Sequence, residues 1–159
     1  MGAEARLVEL GLDLPPRPVA PPGVQIPFEW VRVVGDRVFA SGHGALGPDG
    51  APVGPFGRVP TGVSLTDARA SARLAGLALL SGVRHAIGGD LDRVRAWLTV
   101  SAFVNAEPGY GRTTAVANPI SDLLLDVFGD SGRHARTAIG VAALPLNLPI
   151  VASAELLVG

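Results

Sequence analysis

The feature that most constrains the fold is a long central stretch, residues 94–105, in which apolar and more polar residues alternate along VRAWLTVSAFVN. A period of two places alternate side chains on opposite faces of a β-strand. The residues predicted to share the buried face are Val94, Ala96, Leu98, Val100, Ala102 and Val104. We therefore expect one long strand in the middle of the chain, with one face against the core.

Helical patterns precede and follow this strand in the sequence. Before it, Ser64 and Asp67 have capping-box spacing with Asp in place of Glu, and apolar residues then recur every three or four positions up to Gly88. After it, Asn118 followed by Pro119 is typical of an N-cap and a first helical position, and an apolar stripe follows. The sequence thus predicts a long helix from residue 64 and a shorter one from residue 118.

The remaining apolar segments predict four further strands. A hairpin is expected over about residues 29–42, and two more strands should run from Arg136 and from Ile150 to Val158, with a turn near Leu146. The predicted class is α+β, with a mostly antiparallel sheet of five to six strands in the order β-β-α-β-α-β-β and both helices on one face. The other face of the sheet would be apolar and uncovered, which favours self-association.

Composition narrows the functional classes. Thirteen basic against fourteen acidic side chains give a net charge of −1, so no strong field attracts nucleic acid or an anionic membrane. There is no cysteine, which excludes disulfides and thiol nucleophiles. Neither a secretory signal nor a membrane span is evident, and we expect a cytoplasmic protein. Prolines mark residues 1–26 as an N-terminal arm, and residues 27–159 as a single domain.

Arg136 is the leading candidate for binding, because it lies at the start of an apolar strand. A guanidinium is a planar fork of donors that reads a carboxylate or phosphate bidentately and stays charged. The alternative is an arginine that merely pairs with a surface acid or caps a helix.

Other candidates have structural alternatives. Ser41, Gly42 and His43 lie where the hairpin enters a Gly- and Pro-rich loop, and His43 is either a base or a loop residue bonded to the backbone. Asn118 is fully explained as a helix cap, and the structural interpretation of His134 is favoured. The three histidines have no paired acidic ligands, so we expect no metal.

Five segments, taken in order, resemble the RidA/YjgF family. They are Phe39-Ala-Ser-Gly-His-Gly44, Gly89-Asp-Leu-Asp-Arg-Val94, Leu98-Thr-Val-Ser-Ala-Phe-Val-Asn105, Asn118-Pro-Ile-Ser-Asp-Leu-Leu-Leu125 and His134-Ala-Arg136. The last of them resembles the family's "PAR" signature with His134 in place of proline. The resemblance runs from about residue 27 to the C-terminus.

This resemblance implies a chorismate-mutase-like homotrimer with clefts between subunits. It also implies cofactor-free hydrolysis of 2-aminoacrylate-type enamines and imines to 2-oxo acids and ammonia. Arg136 matches the arginine that binds the substrate carboxylate in the family. The resemblance places Ser41 and His43 beside the reaction, and Asn118, Gly42 and Ala138 beside the substrate.

The chain departs from the family at one position. The glutamate that helps to place the hydrolytic water should fall near Val151, and Glu155 lies about 13 Å further along the strand. A general acid–base group is typically worth about 100- to 10,000-fold in rate. The alternative function is therefore a non-catalytic module that binds 2-oxo acids or similar carboxylates. Endoribonuclease activity ranks lower, since the chain is near neutral and has 5% aromatic residues.

Overall fold

A computed structural model describes residues 1–159 as a five-stranded sheet with helices packed on it. The strands are β1 (Val31–Val34), β2 (Arg37–His43), β3 (Val94–Asn105), β4 (Ala135–Val141) and β5 (Ile150–Val158); the helices are α1 (Ala3–Glu9), α2 (Leu65–Ala86) and α3 (Thr113–Phe128). The strand order is β1-β2-β5-β3-β4, and only β3 and β4 run parallel. The predicted α+β class and element order are confirmed, with a short N-terminal helix in addition.

Helix α2 begins and packs as its sequence pattern predicts. The Ser64 hydroxyl accepts the backbone N–H of Asp67 at 3.1 Å and so caps the first turn. Ala68, Ala72 and Leu79 on its inner face are fully buried. Because alanine side chains are short, the helix axis can lie close to the strands beneath it.

The start of α3 was predicted wrongly. The helix begins at Thr113, so Asn118 and Pro119 lie inside it and Asn118 is not its N-cap. Pro119 has no N–H to give the carbonyl of Ala115, the bond that a helix interior normally requires. The guanidinium of Arg69 on α2 donates to that carbonyl instead. This tertiary contact allows the helix to continue through the proline.

The alternation along β3 is interrupted by two irregularities in its pairing with β5, at residues 94–96 and 97–99. Each shifts the side chains by one position relative to a regular strand. Trp97 is consequently buried, 5.5 Å from the ring of Phe128, whereas Leu98 is half-buried. The predicted buried face is correct from Val100 onward and wrong at Leu98.

The first residues of the arm pack on the domain. Ala3 and Leu7 of α1 are buried in the main hydrophobic core. The carboxylate of Glu4 accepts from Arg84 at 2.8 Å and from the backbone N–H of Leu91 at 2.9 Å. Partial burial raises the pKa of Glu4, but these two bonds lower it by more, so its net pKa lies below the ordinary value. Ion pairing thus fastens α1 to the end of α2.

The face of the sheet opposite α2 and α3 has no cover within the chain. Phe39 on β2 is 40% exposed and Ile139 on β4 is 45% exposed. Val151 and Phe103 are paired on this face and are half-buried. No helix of the chain combines the length and the apolar character that crossing a bilayer requires.

Candidate functional site

Arg136 lies on the edge strand β4, on the side that faces the helices. It pairs in register with Val100, which is buried on the same side. Its Nη1 donates to the Oγ of Ser121 on α3 at 3.0 Å. Arg136 is half-buried, so its guanidinium is held near the surface between β4 and α3.

No acidic side chain neutralises this guanidinium. The ion pairs of the chain involve five other arginines: Arg6, Arg37, Arg58, Arg84 and Arg133. The alternative interpretation, an arginine paired with a surface acid, therefore does not describe Arg136. With Nη1 bonded to Ser121, the edge formed by Nε and Nη2 remains for an outside partner.

His134 belongs to the same group of side chains. Its Nε2 lies 2.9 Å from the Oγ of Ser121, and its Nδ1 lies 2.7 Å from the carbonyl oxygen of Gly132. Ser121 is half-buried and has no role in the sequence prediction. Its position three residues after Asn118, on the same face of α3, is the one signal that could have identified it.

Asn118 and Ala138 lie on the two elements that hold Arg136. Asn118 is one turn before Ser121 on α3, and Ala138 is two residues after Arg136 on β4, so each shares a face with the group. Both are half-buried, and the Ala138 carbonyl accepts from the Thr113 hydroxyl at 3.0 Å. The substrate-binding role predicted for these two residues stays a prediction.

The predicted residues at the end of β2 are bonded within the chain. The hydroxyl of Ser41 donates to the carbonyl of Glu29 at 2.7 Å. The Nδ1 of His43 lies 2.6 Å from the carbonyl of Ser41, and the ring is 2% exposed. A side chain at Gly82 of α2 would begin 2.8 Å from the Nε2 of His43, so the imidazole fills a notch that this glycine leaves open.

Burial determines the charge of His43. It lowers the pKa of the imidazole below the ordinary value of 6.5, and the bond to Ser41 offsets only part of that effect. His43 is therefore neutral at neutral pH. Its Nε2 has no hydrogen-bond partner, which is a cost that a functional contact would remove. Its catalytic role, like that of Ser41, stays a prediction.

A cavity of about 660 Å³ adjoins these residues. The N-terminal arm contributes apolar side chains to it, among them Val24 and Ile26, and the sheet contributes Gly42 and Val151. Gly42 packs so closely on Val151 that a Cβ there would lie 2.7 Å from the valine Cγ1. The position where the resemblance implies a glutamate is thus part of an apolar wall.

The two candidate regions are not neighbours within one chain. Strands β5 and β3 separate β2 from β4, which corresponds to three strand spacings, or about 14 Å. The structure brings Arg136 together with Ser121 and His134. It does not bring Arg136 together with Ser41, Gly42 or His43.

Comparison of the sequence with known proteins gives one partial match. No protein-family model matches the chain. Protein TCP17 of Trypanosoma cruzi is 41% identical over 95 residues, which is 59% of this chain and 59% of TCP17. The chain therefore matches less than two thirds of the length of that curated relative.

Solved structures match over nearly the whole chain. A protein of unknown function from Agrobacterium tumefaciens is 29% identical with a TM-score of 0.85, covering 98% of this chain and 91% of its own. A candidate endoribonuclease from Shewanella oneidensis is 25% identical with a TM-score of 0.86, and the match covers 99% of this chain and 100% of the Shewanella chain. YjgF of Escherichia coli, at 20% identity and a TM-score of 0.58 over 89% and 92%, shares the fold. The resemblance that the ordered motifs indicated is confirmed at the level of the fold, which this chain shares with the RidA and YjgF structures.

Proposed function

We propose that this protein binds the carboxylate of small 2-imino and 2-enamine acids at Arg136 and hydrolyses them to 2-oxo acids and ammonia without a cofactor. The observation that carries the proposal is a half-buried guanidinium fixed by Ser121 and paired with no acid. Charge-assisted bidentate bonds to a carboxylate would satisfy its free edge. The family resemblance supplies the reaction, and the geometry supports the binding of its anionic group.

The proposal includes assembly into a homotrimer. Arg136 lies on an edge strand, while the cavity at Gly42 and Val151 lies about 14 Å away across the sheet. A second copy placed against β4 would bring its own cavity toward Arg136 of the first. The uncovered apolar face, with Phe39 and Ile139 exposed, supports self-association. Each complete site would then consist of residues from two copies.

The test is ammonia release from enzymatically generated 2-aminoacrylate. We expect the wild-type protein to accelerate release above the buffer rate and Arg136→Ala to reduce the catalysed rate at least 100-fold, because the carboxylate loses its charged partner. Arg133→Ala is the matched control. Arg133 is an exposed arginine nearby that pairs with Asp130, and its loss should leave the rate unchanged. A well-folded wild-type protein no faster than buffer would contradict hydrolysis.

A second function, carboxylate binding without turnover, is favoured by one observation. Val151 occupies the position of the family glutamate and lies in an apolar wall. Under this alternative a 2-oxo acid binds saturably to the wild type and not to Arg136→Ala, while neither protein releases ammonia. Cleavage of a labelled RNA that disappears in Arg136→Ala would instead favour an endoribonuclease, the description given to the Shewanella neighbour.

A further inference from the structure

Ser121, His134 and Arg136 form a continuous hydrogen-bonded chain. The hydroxyl of Ser121 lies 3.0 Å from Nη1 of Arg136 and 2.9 Å from Nε2 of His134. The Nδ1 of His134 lies 2.7 Å from the carbonyl of Gly132. A hydroxyl is thus held between a guanidinium and an imidazole, on the same strand and helix that present the candidate carboxylate site.

For a neutral imidazole, the chemistry of the partners fixes the direction of each bond. A carbonyl only accepts, so Nδ1 of His134 carries a hydrogen and donates it to Gly132. The Nε2 of the neutral ring is then an acceptor. A guanidinium only donates, so Ser121 accepts from Arg136 and its own proton points to Nε2 of His134. The imidazole is therefore poised to take a proton through the serine hydroxyl.

The backbone holds this arrangement tightly. Gly132 is buried, and a Cβ at this position would lie 2.2 Å from the carbonyl oxygen of Leu124 on α3. The turn after α3 can therefore lie flush against the helix only because residue 132 is glycine. That close approach brings His134, at the start of β4, within reach of Ser121.

Two acids that could replace the missing glutamate, Glu155 and Glu107, have other partners. Glu155 on β5 pairs with Arg37. Glu107 accepts from the hydroxyl of Thr61 at 2.7 Å and lies 3.9 Å from Arg58. Neither carboxylate contacts Arg136. His134 is the titratable side chain that connects to Arg136, through a single hydroxyl.

We propose that Ser121 and His134 form the proton relay of the Arg136 site and take the role that Val151 leaves unfilled. This inference rests on the proposed function. When water attacks the imine carbon, the new C–O bond forms as a water proton passes to the Ser121 oxygen. The Ser121 proton passes at the same time to Nε2 of His134. The C=N π electrons move to the substrate nitrogen, to which the relay returns this proton, and a carbinolamine forms. The remaining hydroxyl proton then takes the same route to the nitrogen as the C=O bond forms and the C–N bond breaks, so that ammonia leaves with the 2-oxo acid.

The test compares turnover with binding in three variants. His134→Gln keeps a side chain that can bond to Ser121 but cannot accept and return a proton, and we expect it to lower the catalysed rate of ammonia release about 100-fold. Ser121→Ala should lower the rate similarly, whereas Ser121→Thr, which keeps a hydroxyl, should retain most of it. Calorimetric affinity for 2-oxobutyrate should stay within about twofold of wild type in His134→Gln.

A chemical rescue separates proton transfer from structural support. Added imidazole should restore a measurable part of the rate to His134→Ala, and a merely structural histidine would give no such recovery. His85→Gln, on the exposed end of α2, is the control and should match wild type. An unchanged rate in folded His134→Gln overturns the relay and leaves the proposed function standing. A wild type that binds 2-oxobutyrate but releases no ammonia overturns both the relay and the hydrolysis, and leaves carboxylate binding.

Discussion

The two regions that the motifs identified differ in what their polar groups do. Around Arg136, the guanidinium keeps a free edge, and its neighbour Ser121 connects it to His134. At the end of β2, the Ser41 hydroxyl and the Nδ1 of His43 are both bonded to backbone carbonyls. The first region offers donors to a ligand, and the second is an apolar cavity with a buried, neutral imidazole at its edge.

The two regions would therefore contribute differently to a binding site. A small carboxylate needs a charge-assisted partner, which β4 provides, whereas the cavity beside Val151 can provide a wall and exclude water. A cleft built from both regions would grip the anion on one side and enclose the rest of the substrate on the other. The following predictions test whether the two regions differ in this way, in order of decreasing effect.

The Arg136 region should respond most strongly to a change at Gly132. Gly132→Ala forces a methyl group to within 2.2 Å of the Leu124 carbonyl, so the turn must move away from α3. We expect the free energy of unfolding to fall by about 3 kcal/mol, measured by urea denaturation. Gly111→Ala is the control, since a Cβ there has no heavy atom within 4 Å. Equal stability of Gly132→Ala and wild type would show that this packing is not needed.

The end of β2 should respond less strongly to Gly82→Ala. The new methyl group would lie 2.8 Å from Nε2 of His43 and displace the ring. We expect a net loss of about 1–2 kcal/mol in unfolding free energy, because overpacking costs about 1–3 kcal/mol and alanine regains part of it by helix propensity. Affinity for 2-oxobutyrate in calorimetry should be unchanged. A large loss of affinity would place His43 in the carboxylate site and remove the contrast between the regions.

The smallest effect concerns pH. The pKa of His43 is lower in the folded state than its ordinary value of 6.5, so the unfolded chain binds more protons below that pH. Stability is therefore fully present above about pH 6.5 and is lost as the pH falls toward the folded-state pKa. Urea denaturation at pH 7.5 and pH 5.5 should give a smaller loss for His43→Leu than for wild type. An identical loss in both proteins would mean that His43 does not govern this dependence.

Much of the fold was predictable because its signals are local. The period of two around Val100, the cap at Ser64 and the turn before Ile150 each depend on nearby residues, and each was correct. Asn118 and Pro119 were misread because their dipeptide is typical of a helix start. The carbonyl of Ala115, which Pro119 leaves without a helical donor, is satisfied by Arg69, 46 residues before Ala115 in sequence.

The site was less predictable because its contacts join segments that are distant in the sequence. Arg136 was identified from its place at a strand end, but Ser121 became visible only when α3 and β4 came together. His134 was expected to be structural, and no short-range pattern reveals that its Nε2 meets a hydroxyl on α3. The β-bulges that bury Trp97 likewise depend on pairing with β5. The sequence pattern could not predict these contacts between distant segments.

The central claim is that Arg136 holds the carboxylate of the ligand. Titration calorimetry with 2-oxobutyrate tests it most directly, using wild type, Arg136→Ala and the control Arg133→Ala. We predict saturable binding to wild type and Arg133→Ala, and a loss of at least 100-fold in affinity for Arg136→Ala, since two charge-assisted hydrogen bonds disappear. Equal affinity of folded Arg136→Ala and wild type would contradict the claim.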